Sequence, residues 1–281
     1  MTASRITIAR QVHGSADLTT MAGIPLELEE GRLRTGPGVL VEEDLARRLH
    51  ELSKVTAEPI AEDGQRLEYR MLNGVRRQED GRLEQLSLRY ELTAMAGHAI
   101  GREAAKTAGH VHVRPAGSSL GYAEIVEVLH GEAGFLIQDL ELGPQGPVSS
   151  RAWLVRARPG EWVVLPPELA HVTIDLGAGP LVFSDIIDRR ATGVYAAVAE
   201  ARGFSWYVDA DGGLRPNERY AAVPELERCD AAEWSEGADG PLYSAFVSDP
   251  EAFAWLSEPD RFPDAAPRLW SRVEALLGRE R

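Results

Sequence analysis

The chain of 281 residues has one cysteine, Cys229, and two lysines, Lys54 and Lys106. A single thiol cannot form an intrachain disulfide, and it excludes a zinc site built on several thiolates. Arginine therefore supplies nearly all of the positive charge. Because the net charge is -14, we do not expect the chain to bind nucleic acid or an anionic membrane surface.

Long apolar runs are also missing. No stretch approaches the ~20 apolar residues that a membrane-spanning helix needs. Met1 to Gly14 form a polar segment without an apolar run, so the sequence predicts no signal peptide and a cytoplasmic location. In so acidic a protein, an anionic small-molecule substrate would need a local cluster of positive groups.

From about residue 66 the pattern becomes that of β-strands. Residues 86–94 alternate apolar and polar side chains, as a half-buried strand does. Further strands are predicted at 123–129, 134–139, 152–157, 162–165, 172–175 and 181–187. Glycine and proline separate these segments at short intervals, which is typical of a closed sandwich or barrel. The sequence therefore predicts an all-β fold.

The two ends of the chain differ from this central part. Residues 1–40 predict an arm with short strands. Val41–Lys54 predicts a helix, because acidic residues fill its first turn and leucines form one apolar stripe. We therefore expect a domain of residues 1–221 that includes the arm. Residues 222–281 are expected to form a helical extension packed on the barrel or on a partner.

Three histidines and a glutamate form the most informative pattern. His110 and His112 point to the same face of a strand, because the side-chain period of a strand is two. Glu124 begins the next predicted strand, and His171 comes from a distant strand, as a closed barrel permits. Three neutral imidazoles and one carboxylate suit iron, manganese, nickel, zinc or copper. The pattern predicts a site for one divalent transition metal; the other histidines are interpreted as surface residues.

These motifs resemble those of the cupin superfamily. Its first motif places a glutamate after H-x-H and a glycine seven positions later, the spacing of Glu124 and Gly131. Its second motif is similar to the segment from Gly160 through Pro166 to His171. The resemblance implies a double-stranded β-helix, or jelly-roll, barrel. It also implies a homodimer, since cupins often dimerise.

A narrower resemblance is to the cupin-type glucose-6-phosphate isomerases, and it extends from about residue 25 to about residue 220. Their first motif runs K-T-K-G-H-x-H, and residues 106–112 read K-T-A-G-H-V-H. Residues 163–175 and 199–204 match their later motifs V-x-x-P-P-x-x-A-H-x-T-x-N and A-E-K-G-F. The resemblance implies that the metal ligands are His110, His112, Glu124 and His171. It implies that the contacts to the sugar phosphate are Thr93, Thr107, Gly109 and Tyr195.

The first functional hypothesis is metal-dependent isomerisation of an aldose phosphate and a ketose phosphate. The metal would act as a Lewis acid, and Glu124 would be the base that moves a proton between C1 and C2. Lys106, Thr107 and the Gly109 amide are expected to bind the phosphate. The substrate is therefore predicted to be a small anionic sugar.

Three departures from the isomerases leave alternatives open. The loop between His112 and Glu124 is longer, Val126 replaces a tyrosine that helps catalysis, and a histidine near Tyr195 is absent. The second hypothesis is a remodelled metal cupin of bacterial secondary metabolism. Such a protein resembles the cupin component of hydrazine synthetases, which joins the nitrogens of an N-hydroxylated amine and of an amino acid ester supplied by a partner enzyme. The third hypothesis is a non-catalytic metabolite-binding cupin.

Overall fold

The computed structural model describes residues 15–60, 64–177, 179–235 and 240–278. Ten strands form the two largest sheets, and we number them in chain order. They are β1 (Glu43–Arg48), β2 (Leu67–Asn73), β3 (Leu88–Met95), β4 (Glu124–His130), β5 (Ala133–Gln138), β6 (Ala152–Ala157), β7 (Trp162–Leu165), β8 (Ala170–Asp175), β9 (Leu181–Asp188) and β10 (Leu226–Asp230). The predicted all-β fold with a helical C-terminal stretch is confirmed.

The barrel consists of a six-stranded sheet and a four-stranded sheet. The larger sheet has the order β7-β4-β9-β3-β2-β1, and the smaller has the order β8-β5-β6-β10. The neighbouring strands are antiparallel, except that β10 runs parallel to β6. Strand neighbours that are distant in the chain, such as β9 beside β3, bring remote side chains together between the two sheets.

Shorter elements surround the barrel. The remaining strands are Ala16–Asp17, Leu26–Glu29, Arg32–Thr35, Val39–Leu40, Arg76–Arg77, Val111–His112, Glu141–Gly143, Gly146–Val148, Gly193–Val194, Trp206–Val208 and Leu214–Pro216. The α-helices are Thr19–Ala22, Ala196–Glu200, Ala231–Trp234, Leu242–Ser248, Phe262–Ala265 and Pro267–Leu276. The 3-10 helices are Leu49–Leu52, Gln78–Gln85, Pro250–Leu256 and Pro259–Arg261. Among the described residues, no helix is long and apolar enough to cross a membrane.

The helix predicted over Val41–Lys54 is wrong. Residues 43–48 form the edge strand β1, which pairs with β2 from Glu43 opposite Asn73 to Arg47 opposite Tyr69. Only residues 49–52 are helical, as one 3-10 turn. Pairing with an existing sheet edge outweighs the weak helical preference of this segment. The strand conformation matters for the site, because it turns Arg47 towards the space between the sheets.

The N-terminal arm agrees with its prediction where it is described. Residues 16–35 form three short strands and one helical turn, with the apolar side chains of Leu26, Leu28 and Leu33 buried. Residues 1–14, which were expected to begin this arm, lie outside the described residues.

The C-terminal extension packs on the outer face of the barrel. The Trp234 indole donates a hydrogen bond to the Val164 carbonyl at 2.8 Å. The Tyr243 ring meets the Tyr90 ring edge-on, with centroids 5.1 Å apart. The domain boundary at residue 221 stays a prediction; the extension contributes β10 to the smaller sheet.

Candidate metal centre

The backbone brings the four predicted metal ligands to one place. His110 and His171 form a β-bridge, in which each backbone N–H donates to the other carbonyl at 2.9–3.0 Å. His112 follows two residues after His110 and shares its face. Glu124 is the first residue of β4. Residues separated by 61 positions along the chain are thus held side by side by backbone hydrogen bonds.

The donor atoms of these four side chains converge. One ligand atom from each of His110, His112, Glu124 and His171 lies within 4.8 Å of the others. The Nε2 atoms of His110 and His112 are 2.9 Å apart. Glu124 Oε2 lies 3.4 Å from His112 Nε2 and 3.9 Å from His171 Nε2. Such convergence of nitrogen and oxygen donors is the arrangement that a transition metal ion requires.

The remaining ring nitrogens fix the orientation of two imidazoles. His112 Nδ1 lies 3.1 Å from the Tyr122 carbonyl, and His171 Nδ1 lies 3.3 Å from the Leu169 carbonyl. A carbonyl can only accept, so Nδ1 carries the proton and Nε2 keeps its lone pair. His171 Nε2 is buried and has no hydrogen-bond partner. This orphaned lone pair fits a metal ion, and so do the donors around it.

Burial sets the protonation states of the cluster. It lowers the pKa of His112 to about 4 and that of His171 to about 3, and it holds the pKa of His110 well below its usual value. These imidazoles are therefore neutral near pH 7, which is the state that binds metal. Burial, helped by the neighbouring Glu91 carboxylate, raises the pKa of Glu124 to about 8. A bound cation would replace that proton.

The metal donors line one wall of a cavity of about 240 Å³ between the two sheets. Thr93, Thr107, Gly109 and Tyr195, which the resemblance implies as sugar-phosphate contacts, line the same cavity. Thr93 lies on the inner face of β3, opposite the face that carries Leu92. The cavity therefore brings the expected metal ligands and four expected substrate contacts together.

Thr107 and Gly109 present hydrogen-bonding groups beside the histidines. The Thr107 hydroxyl accepts from the Thr173 backbone N–H at 3.1 Å, so its own proton is left to donate. Gly109 has a φ of +72°, and a Cβ there would lie 2.5 Å from Phe204 Cε2. The position therefore requires glycine for both its conformation and the close approach of the phenyl ring.

Lys106 does not belong to this cavity, which corrects its expected role in phosphate binding. The strand-like alternation that turns Thr107 inwards turns Lys106 outwards, where it is buried under other elements. Its ammonium donates to the Val55 carbonyl at 2.7 Å and forms an ion pair with Glu103. The ammonium also lies 5.5 Å from the centre of the Tyr207 ring. Lys106 thus stabilises the packing of the loop that precedes His110.

The structure adds polar residues that sequence reasoning missed. They line the cavity on the inner face of the larger sheet: Arg47, Tyr69, Asn73, Arg89, Glu91 and Asp185. The signal for two of them was present, because Arg89 and Glu91 alternate with Leu88, Tyr90 and Leu92 and so share the face of Thr93. Arg47 was hidden by the wrong helix prediction. Asp185 lies within an apolar segment that is buried on both faces, so the sequence does not show which of its residues face the cavity.

The chain is also similar in sequence to known proteins. Residues 46–225 match the family described as glucose-6-phosphate isomerase. The chain belongs to the glucose-6-phosphate isomerase family. The isomerase of Thermococcus onnurineus is 28% identical over 197 residues, which cover 68% of this chain and 90% of that protein. The isomerase of Pyrococcus furiosus is 32% identical over 126 residues, or 45% of this chain. In that match, the chain spans 59% of the Pyrococcus protein's length.

Solved structures similar to this chain include a variant of oxalate decarboxylase of Bacillus subtilis. The similarity has a TM-score of 0.32 and 13% identity, and it covers 59% of this chain and 34% of that chain. Vicilin from Capsicum annuum gives a TM-score of 0.34 with 7% identity, over 50% of this chain and 34% of that chain.

The segment between His112 and Glu124 is held by polar contacts at both of its ends. The Arg114 guanidinium donates to the Glu168 carboxylate at 2.9 Å, and the same carboxylate accepts from the Gly121 N–H at 2.7 Å. The Ser119 hydroxyl donates to Asp260 of the C-terminal extension at 2.7 Å. This segment and the C-terminal extension are therefore in contact with each other.

Proposed function

We propose that the protein is a metal-dependent isomerase that interconverts an aldose phosphate and a ketose phosphate. The observation that carries this proposal is the convergence of His110, His112, Glu124 and His171 in the wall of one cavity. Membership of the glucose-6-phosphate isomerase family supports it. The matched proteins are named as isomerases, so the hydrazine-forming and metabolite-binding alternatives gain no support.

The four ligands would hold one divalent transition metal, with iron, manganese, nickel and zinc all compatible with the donor set. When bound, the metal would supply Lewis-acid stabilisation of negative charge on the sugar oxygens. Glu124 is the proposed base, and its carboxylate would carry the proton between C1 and C2.

The phosphate would bind at the end of the cavity formed by Arg47, Tyr69, Thr107, Gly109 and Tyr195. Arg47 lies directly opposite Tyr69 in the β1–β2 pair, and it is close enough to His110 to lower that residue's pKa. The guanidinium has an ion pair with Glu51 at 3.0 Å and a buried Nε without a hydrogen-bond partner. Arg47 would therefore supply the positive charge that Lys106 cannot.

Tyr195 would close this end of the cavity. Its ring lies 5.4 Å from the His110 ring, and 42% of the residue is exposed. A Cβ at Gly193 would lie 2.8 Å from the tyrosine ring and 2.9 Å from His110 Cγ. The glycine thus lets the phenol pack over the histidine, where its hydroxyl could reach a bound sugar.

The test is conversion of fructose 6-phosphate to glucose 6-phosphate by the protein reconstituted with each candidate metal. We expect turnover that a chelator abolishes and that metal restores. His112→Ala should lose both metal and activity, whereas His98→Ala, an exposed non-ligand histidine, should keep both. Metal binding by the wild-type protein without turnover of any aldose or ketose phosphate would refute the proposal.

A further inference from the structure

The inner face of the larger sheet carries its side chains in parallel rows. Across β2, β3, β9 and β4, the strand register places Asn73 opposite Glu91, Glu91 opposite Asp185, and Asp185 opposite Val126. We call Asn73, Glu91 and Asp185 the acceptor row, because each side chain offers an oxygen to the cavity. Val126 ends the row.

The acceptor row lies away from the proposed phosphate end. Along β2 the distance from Tyr69 to Asn73 is four residues, or roughly 13 Å at the rise of a strand. Arg47 lies beside Tyr69 on the edge strand, so it is at the far end of the same face. The cavity therefore has a cationic end at Arg47, while the register places the acceptor row one row beyond Thr93 and next to the row that contains Glu124.

Asn73 has an acceptor that the protein leaves unused. Only 6% of the residue is exposed, its Nδ2 donates to Glu43 at 3.0 Å, and its buried Oδ1 has no hydrogen-bond partner. The contact with a carboxylate fixes the amide orientation, since a flipped amide would place two acceptors together. The oxygen that remains is buried and lacks a donor.

Asp185 has the same need, and burial beside Glu91 and Glu124 raises the pKa of its carboxyl well above the usual value. It is 5% exposed, and within the described part of the chain no group donates a hydrogen bond to its carboxylate. Glu91 lies directly opposite, and like charges in that position destabilise a sheet. The nearby cation, Arg89, already contacts Glu91 and approaches Glu43 at 3.9 Å. The Asp185 carboxyl therefore has no ion-pair partner of its own.

We propose that the acceptor row of Asn73, Glu91 and Asp185 binds an ammonium group, so that the substrate is an amino-substituted sugar phosphate. This inference rests on the proposed function, whose metal and phosphate contacts it keeps. An ammonium has three N–H donors and one positive charge, which match three acceptor side chains and an unpaired carboxylate.

The apolar side chain of Val126 agrees with this assignment. Val126 is 1% exposed and lies directly opposite Asp185, so it adds no polar group to the end of the row. A tyrosine at this position would bring a hydroxyl to the row, where it could donate to a neighbouring carboxylate. With valine there, the donor that satisfies Asp185 has to come from the ligand.

The experiment compares two probes that differ in one group. Calorimetry with zinc-loaded protein would measure binding of glucosamine 6-phosphate and of glucose 6-phosphate, and binding of the unphosphorylated pair glucosamine and glucose. We expect the amine to bind at least tenfold more tightly in each pair. Asp185→Asn, which keeps the shape and removes the charge, should reduce this preference below threefold. Glu127 is a buried carboxylate on the outer face of β4, and the control variant Glu127→Gln should retain the preference for the amine.

The outcomes separate this inference from the proposed function. Equal affinity within a pair, tighter binding of the neutral sugar, or no measurable binding of either amine by the wild-type protein would overturn the ammonium site. The wild-type comparison is sufficient for this, even where Asp185→Asn fails to fold. A preference for the amine in both pairs, without isomerisation of any sugar phosphate, would instead refute the isomerase and leave the ammonium site standing.

Discussion

A buried carboxylate at the junction of the barrel and the C-terminal extension gives a quantitative prediction. Glu127 is 1% exposed on the outer face of β4, and its carboxylate accepts the backbone N–H of Leu242 at 2.8 Å. Burial raises its pKa from 4.5 to about 7, and the contact with Leu242 only partly opposes this. The folded protein therefore keeps a proton that the unfolded chain loses, and its stability falls as the pH rises from 4.5 to 7.

The size of this effect follows from the shift. A difference of roughly 2.5 pH units at ~1.36 kcal/mol each amounts to about 3 kcal/mol, which is fully lost above pH 7. Glu127→Gln removes the titration while keeping an oxygen that can accept from Leu242. Relative to the wild type, the variant should therefore be about 3 kcal/mol more stable at pH 8.5 than it is at pH 4.

Urea unfolding of both proteins at the two pH values, with chelator present throughout, measures this difference. Any constant cost of the amide, such as imperfect packing, cancels because it is the same at each pH. Other titrating groups cancel as well, since both proteins contain them. The exposed Glu218→Gln is the matched control and should show no such dependence. A Glu127→Gln difference of less than about 1 kcal/mol would refute the reasoning that burial keeps this carboxyl protonated.

Three further predictions concern the site. Gly109→Ala should lower the free energy of unfolding in urea by at least ~2 kcal/mol, because it adds a clash with Phe204 to the strain of a positive φ. Gly117→Ala is the control, because Gly117 has a φ of +86° with nothing within 4 Å, and it should show the strain alone. Metal binding at pH 7 should release about one proton from Glu124, because the pKa of its carboxyl is raised. Calorimetry in buffers of different ionisation heat measures this release. A result without proton release would contradict the raised pKa. Arg47→Met should raise KM for the sugar phosphate about 10- to 100-fold and leave the metal content unchanged. This is the effect expected when a hydrogen bond to a charged group, of ~1.5–3 kcal/mol, is lost. A KM within twofold of the wild-type value would exclude Arg47 from phosphate binding.

The parts of the site that could be predicted are those with a local signal in the chain. His110 and His112 share a face because of the strand period, and that requires no knowledge of the rest of the fold. Thr93 was implied by the motif resemblance, and the alternation in β3 fixes only that it lies on the face opposite Leu92. His171 is remote, and its place beside His110 was implied by a motif resemblance; the structure realises it as a backbone bridge.

The segment around Arg47 shows why local patterns can fail. Its leucines recur at helical spacing, yet residues 43–48 form an edge strand with most side chains exposed. A short segment with a weak pattern takes the conformation that the neighbouring strand offers, because each residue in the ladder gains a backbone hydrogen bond. Lys106 illustrates a second limit. Its type suggested an exposed cation, but Glu103 and the Val55 carbonyl make its burial favourable.

The acceptor row could not be predicted because it exists only in the register of three strands. Asn73, Glu91 and Asp185 lie far apart in the chain, and a shift of one residue in either pairing would turn one of them to the opposite face. The metal ligands and the acceptor row therefore carry different information. The ligands are encoded by spacing within motifs, and they indicate the kind of chemistry. The row is encoded by the pairing of remote strands, and it determines which group of a substrate the cavity can hold beside that chemistry.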